Sequence, residues 1–243
     1  MKPRVGISAC LLGHQVRYDG GHKRAPYLGG RLGRLVEWVP VCPEVELGLG
    51  VPREPIRLVG RIAAPRLVAA ESDRDLTDAM LRFARARVAE LVDRELSGYV
   101  VKARSPSCGM EAVPVHRAAG RPVDRGRGLF TRVLIEQMPL LPVEEEGALR
   151  SHARRENFLE RVLAYQHWRA FVAERPTRTR LEAFHAAHER QLLAHDRAGH
   201  AVLDRLVTRS RRRPLAAVLR DYGAGFMRVL TGNVPCGTRG TKK

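Results

Sequence analysis

The chain has 243 residues, 44% of them hydrophobic, and a formal net charge of +17. That length and composition fit a globular protein of one large or two modest domains, and no run approaches the roughly 18 apolar residues of a membrane-spanning helix. Four cysteines at wide spacing argue against a disulfide-stapled small fold and lack the local pairs of a zinc ribbon.

Residues 4–9 read as a short first strand ending at Cys10. Ile7-Ser8-Ala9-Cys10 has the look of a bacterial lipoprotein cleavage site. The apolar stretch before it is about five residues, against the roughly 7–15 of a signal-peptide core, so a cytoplasmic location is expected. Residues 11–30 form a loop punctuated by Gly13, Gly20-Gly21, Pro26 and Gly29-Gly30. A short helix over 31–37 precedes a second strand, Trp38–Val41, which runs into Cys42. Residues 43–55 are again rich in glycine and proline, and 56–59 with 66–69 suggest a hairpin. The clearest helix is predicted to start near Ser72 or Asp73, with Asp73, Asp75 and Asp78 crowding the first turn, where the helix dipole favours negative charge. Leu76, Met80, Ala84, Val88, Leu91 and Glu95 trace one of its faces and Gly98 stops it. Tyr99–Ala103 is the next strand, followed at once by the loop that carries Cys108. A helix over 129–138 and a last strand over 140–143 complete the pattern.

This alternation predicts an α/β fold, a mostly parallel sheet flanked by helices in three Rossmann-like layers. Glu144-Glu145-Glu146-Gly147, after Pro139 and Pro142, reads as the domain boundary. The α/β domain is therefore placed at 1–143 and an all-α C-terminal domain at 147–231, with 232–243 a disordered tail. Within the helical part, segments 156–173, 178–196, 199–210 and 215–230 are expected, with Phe158, Val162, Tyr165 and Val172 on the packed face of the first.

The chemistry lies with the cysteines. Cys10, Cys42 and Cys108 each follow a strand-like run, and if those strands are parallel neighbours all three sulfurs gather at one sheet edge. Ligands of open α/β sheets bind there, outside the strands' carboxyl ends. Three thiolates would hold a metal centre and leave one coordination position over. Cys42-Pro43-Glu44 and Ser105-Pro106-Ser107-Cys108-Gly109 are the sharpest motifs. In each a proline stiffens the loop beside a thiol, and Gly109 would let backbone approach a bulky inorganic group. The bland alternative is that each is a small buried hydrophobe.

Four blocks in order, Val5–Gly13, Val16–Gly20, Val41–Val45 and Lys102–Gly109, closely resemble the thiouracil desulfurase (TudS-like) family over residues 1–143. The resemblance implies an oxygen-sensitive [4Fe–4S] cluster held by Cys10, Cys42 and Cys108, its fourth iron open to the sulfur of a small thiolated substrate such as 2-thiouracil. It also implies catalytic roles for Glu44 and Ser105. Hydrolytic desulfuration would then leave a carbonyl, with no net redox change. Asp19, Ser8 and Ser107 are weaker candidates for contacts with substrate or cluster. Arg53 and Arg104 could accept a phosphate, Lys102 could pair with a carboxylate, and Cys236 is a poor fourth ligand.

Residues 1–146 carry 23 Lys and Arg against 18 Asp and Glu, and residues 147–243 carry 20 against 8. The helical half therefore has the stronger case for RNA contact. Only five of the 43 basic residues are lysine, so an arginine-rich coding bias is the competing account. His185, His188 and His195 fall within about 80° on an ideal helix and could form a metal face or a packed one. The stretch 181–188, with Ala194-His195, resembles the YbgA-like helical domain, which in that family continues beyond the Tyr222–Phe226 region. Here a Gly-Thr-Arg-Lys-rich stretch follows, so an incomplete domain is expected. Rival readings are a nucleic-acid-associated module with a structural or sensory cluster, and a zinc-bound stability domain. Oligomeric state is not legible.

Overall fold

The computed structural model describes residues 1–117 and 123–232. The chain divides into two compact units, Met1–Arg150 and Ser151–Lys243. The first opens with β1 (Arg4–Ser8), a 3-10 turn at Ala9–Leu12, a second at Pro26–Gly29, and α1 (Arg31–Leu35). There follow β2 (Glu37–Val41), α2 (Pro43–Glu46), β3 (Ile56–Arg61), β4 (Ala64–Ala69), α3 (Thr77–Asp93) and β5 (Gly98–Val101). The unit closes with β6 (Val113–His116), β7 (Val123–Gly126), α4 (Leu129–Gln137), β8 (Val143–Glu145) and a 3-10 turn at Ala148–Arg150.

One sheet has the order β2-β1-β5-β8 and is parallel throughout. Its central strands β1 and β5 read as continuous apolar runs because they are buried on both faces. Val5, Ile7, Val41, Tyr99, Val100 and Val101 are fully enclosed. Ser8 pairs with Val41 and Ile7 with Val100, so three adjacent strands end at nearly one level. Helices α3 and α4 pack on each other, α3 contributing Met80, Ala84, Val88 and Leu91. The parallel sheet with its helices is the α/β fold expected.

Several expectations need correction. The hairpin of β3 and β4 exists, but it belongs to a second, mixed four-stranded sheet, β4-β3-β6-β7. Strands β6 and β7 have four residues each, with Pro114 inside the first and Gly126 at the end of the second, residues that suppress a strand signal. Helix α3 starts at Thr77, because Asp73 takes a left-handed φ of 52° and Asp75 accepts a hydrogen bond from the Thr77 amide at 2.9 Å. It ends at Asp93, and Gly98 opens β5 instead of stopping the helix. The last strand is Val143–Glu145, not 140–143, so the boundary expected after residue 143 falls inside the first unit, which runs on to Arg150 and buries Leu149.

The second unit is helical: α5 (His152–Ala173), α6 (Arg178–His195), α7 (Arg197–Thr208) and α8 (Leu215–Thr231). Side chains of Thr177 and Asp196 cap α6 and α7. Trp168, Phe184, Tyr222 and Phe226 form an aromatic core. Val172, expected in the packed face of α5, is 42% exposed. Among the described residues no helix is long and apolar enough to cross a membrane. The tail expected at 232–243 and Cys236 lie, from residue 233 onward, outside the described residues.

Candidate active site

At the carboxyl edge of the parallel sheet lies a cavity of about 350 Å³ whose wall includes Cys10, Cys42, Cys108, Glu44, Lys102 and Ser105. Cys10 sits in the 3-10 turn that follows β1. Cys42 is the residue after β2 and caps α2, whose first position is Pro43, a residue with no amide hydrogen to leave unsatisfied there. Cys108 lies in the loop after β5. The three are free thiols; Cys10 and Cys108 are buried and Cys42 half-buried.

Each thiol is shielded from water and feels the others. Burial pushes Cys10 up to about 11, and Cys42 adds to the effect while Lys102 and Arg17 oppose it. Burial also raises Cys42, and raises Cys108 furthest, where Glu44, Cys42 and Cys10 add repulsion against a hydrogen bond from Ser8. Three such groups are stable as thiolates only beside compensating positive charge, which bound metal supplies. Among the described residues, no three His, Cys, Asp or Glu side chains converge closely enough for a single ion. Two thiolates on one tetrahedral zinc stand about 3.8 Å apart. A cluster whose corners each take one thiolate tolerates the wider spacing, so the donor set fits a polynuclear centre better than zinc.

Glu44 is fixed from both sides. Arg53 donates Nε and Nη2 to its Oε2, at 3.1 and 2.6 Å, and Ser107 donates its hydroxyl to Oε1. Four hydrogen bonds hold the Arg53 guanidinium, since its Nη2 also reaches the Val16 carbonyl at 3.0 Å and its Nη1 the Gly50 carbonyl at 2.8 Å. It is not the free phosphate acceptor that the sequence suggests. The Cys42 thiol donates to the same Val16 carbonyl at 3.7 Å. Ser105 Oγ lies 3.3 Å from Ser107 Oγ and accepts the Cys108 amide at 3.1 Å. A hydroxyl chain therefore runs from Ser105, on the cavity wall, through buried Ser107 to Glu44.

The first turn of α4 holds this loop, its Phe130 and Thr131 amides donating to the Ser107 carbonyl and the Thr131 hydroxyl to that of Cys108 at 2.5 Å. The space that Gly109 frees is taken by protein rather than left for an inorganic group. A Cβ there would lie 3.0 Å from both the Arg104 nitrogen and the Ser105 oxygen.

The structure brings Cys10, Cys42, Cys108, Glu44 and Ser105 to one cavity. Ser107 stands behind Glu44 and does not line it. Asp19 does not line it either: its carboxylate accepts the Gly21 amide at 3.0 Å and pairs with Arg17, which holds its pKa below the usual range. Lys102 does pair with a carboxylate, Glu146, at 2.5 Å. Ser8 accepts the Lys102 amide at 2.9 Å. Arg53 and Glu146 carry no sequence signal for these roles, one being a single arginine among many and the other part of an acidic run. The histidine face is packed: His185 meets the Tyr222 hydroxyl, His188 the Phe184 carbonyl and His195 Glu160.

Residues 5–146 match the model of the 2-thiouracil desulfurase family. The chain belongs to that family. Among solved structures, this family member is similar to the [4Fe–4S]-dependent thiouracil desulfidase TudS, with 32% identity and a TM-score of 0.50 over 61% of this chain and 94% of that one. The uncharacterized protein YbbK of Bacillus subtilis (strain 168) is 30% identical over 111 residues, covering 42% of this chain and 71% of YbbK.

Proposed function

We propose that this 2-thiouracil desulfurase family member removes sulfur hydrolytically from a small thiolated heterocycle such as 2-thiouracil, with a [4Fe–4S] cluster held by Cys10, Cys42 and Cys108. The observation that carries the reading is the meeting of three shielded thiols, after three adjacent parallel strands, with Glu44 and Ser105 in one cavity. The bound cluster would supply a thiophilic Lewis-acid corner for the thiocarbonyl sulfur.

The chain's own groups handle the protons. Glu44, anchored by Arg53, takes a proton from the attacking water at the carbon that bears sulfur. Ser105 presents its hydroxyl to the ring, and its link through Ser107 to Glu44 returns a proton toward the heterocycle. Water adds across C=S, the C–S bond breaks, a carbonyl forms, and sulfide leaves with the balancing protons; no electron is gained or lost.

The test is sulfide release from 2-thiouracil by anaerobically reconstituted protein. Glu44→Gln should lower turnover by roughly 10²–10⁴-fold without loss of iron, and each of Cys10→Ala, Cys42→Ala and Cys108→Ala should lower iron content. Full iron in the three cysteine variants, or wild-type turnover in Glu44→Gln, would defeat the reading.

We propose further that the helical unit contacts RNA. Arg205, Arg209, Arg211 and Arg212 lie exposed at the end of α7 and the turn after it, within a segment that carries 20 basic against 8 acidic residues. In this account the helical segment, taken as YbgA-like, delivers a thiolated strand or holds the enzyme near one.

A further inference from the structure

We infer that Glu145 and Glu146, consecutive carboxylates at the end of β8, are positioning residues that clamp the Cys108 loop at both of its ends. Glu146 takes the entry: its Oε2 accepts the Ala103 amide at 2.6 Å and its Oε1 meets Lys102 Nζ at 2.5 Å. Glu145 takes the exit, its Oε1 accepting the amides of Met110 at 2.9 Å and Glu111 at 3.1 Å. Glu145 closes β8 and Glu146 opens the turn that follows, so neighbours in sequence reach stretches seven residues apart. Ser105, Ser107 and Cys108 all lie between the two grips.

The loop needs holding. Arg104 and Ala112, one beside each grip, adopt left-handed φ values of 61° and 52°, a conformation that strains a residue with a Cβ. Hydrogen bonds to a carboxylate are roughly twice as strong as neutral ones, and four such bonds converge here. The clamp is rigid relative to the loop's origin, because β8 pairs with β5 and the Glu146 amide donates to the Val101 carbonyl at 3.1 Å. An acidic run that resembles a linker is thus the support of one predicted cluster ligand. The consequence for the cluster rests on the function proposed above; the clamp itself does not.

The test uses the full chain. In metal-free protein, amide exchange at Ala103 should accelerate roughly tenfold or more in Glu146→Leu, and at Met110 and Glu111 in Glu145→Leu. Exchange within α3 should stay unchanged, and alkylation of Cys108 should quicken in both variants. Glu145→Gln, which keeps an acceptor oxygen, should restore wild-type exchange and alkylation. In reconstituted protein, both leucine variants should lose iron to a chelator faster and shift the cluster's electron paramagnetic resonance spectrum. Wild-type exchange at the three amides overturns the clamp. So does accelerated exchange with Cys108 alkylation unchanged, or failure of Glu145→Gln to restore it. If either leucine variant does not fold, Glu146→Gln decides: Lys102 and Ala103 are met by different carboxylate oxygens, so the new NH2 must face one of these two donors, and wild-type exchange at Ala103 together with wild-type alkylation of Cys108 overturns the clamp. Wild-type protein that takes up no iron instead overturns the cluster reading, and leaves the exchange and alkylation results to judge the clamp.

Discussion

A carboxylate that must move protons has to be held without being silenced, and Glu44 shows how the chain does this. Its two oxygens have different partners: the Arg53 guanidinium on Oε2 and the Ser107 hydroxyl on Oε1. The guanidinium is planar and donates through two nitrogens to one oxygen while it braces two loop carbonyls, which a lysine ammonium cannot reproduce. Arg53→Lys is therefore expected to keep the charge and lose the placement, lowering kcat roughly tenfold with iron content unchanged. Ser107→Ala should act differently. It cuts the link to Ser105, so kcat should fall while KM holds, and the loss should change with pH because proton return is what fails. Equal changes in kcat and KM across the pH range would show that Ser107 serves only packing.

The elements explain why some of this is legible in the sequence and some is not. Strands β1 and β5 are buried on both faces and β2 keeps Val39 and Val41 inside, so each shows an apolar signal, and each leads into a motif with a cysteine. Their adjacency then follows from parallel pairing. Strands β6, β7 and β8 are short and carry proline, glycine or glutamate, so nothing local marks them, and only long-range pairing makes them strands. Glu145 and Glu146 escape a sequence reading for the same reason: an acidic run reads as solvated until its amide partners are known. Glycine behaves likewise. Gly128 precedes α4, where a Cβ would lie 2.7 Å from the Cys108 nitrogen and against the Ser107 carbonyl. Gly128→Ala should force the Cys108 loop off α4 and destabilise the first unit by about 1–3 kcal/mol, seen as a lower denaturant midpoint and faster iron loss. An unchanged midpoint would mean that the loop relaxes without cost.

At the scale of the whole molecule the two units differ in what acid and salt should do to them. In the helical unit His185 and His188 are shifted below the ordinary 6.5, first by burial. His185 stacks on His200 of α7, faces Asp204 and Tyr222, and feels Glu189 and His188 of its own helix. Below pH 6.5 the unfolded chain binds protons that the folded unit refuses, so stability is fully present above that value and falls as pH drops through the window beneath it. Unfolding followed by Trp168 fluorescence, with Trp38 replaced by phenylalanine, should show this. A flat profile between pH 7 and 5 would contradict it. Salt tests the other property of the unit, its excess of arginine. If RNA contact is electrostatic, affinity falls with salt at a slope of about −0.7 per phosphate neutralised on a single strand. Replacing Arg211 and Arg212 with glutamine should flatten that slope by about 1.4, whereas the same change at Arg82 and Arg85, exposed on α3 of the first unit, should leave it alone. The charge removed is equal in the two variants, so a difference between them reports a site on the helical unit. Equal flattening would mean that RNA senses only net charge, and that the arginine excess reflects composition rather than recognition.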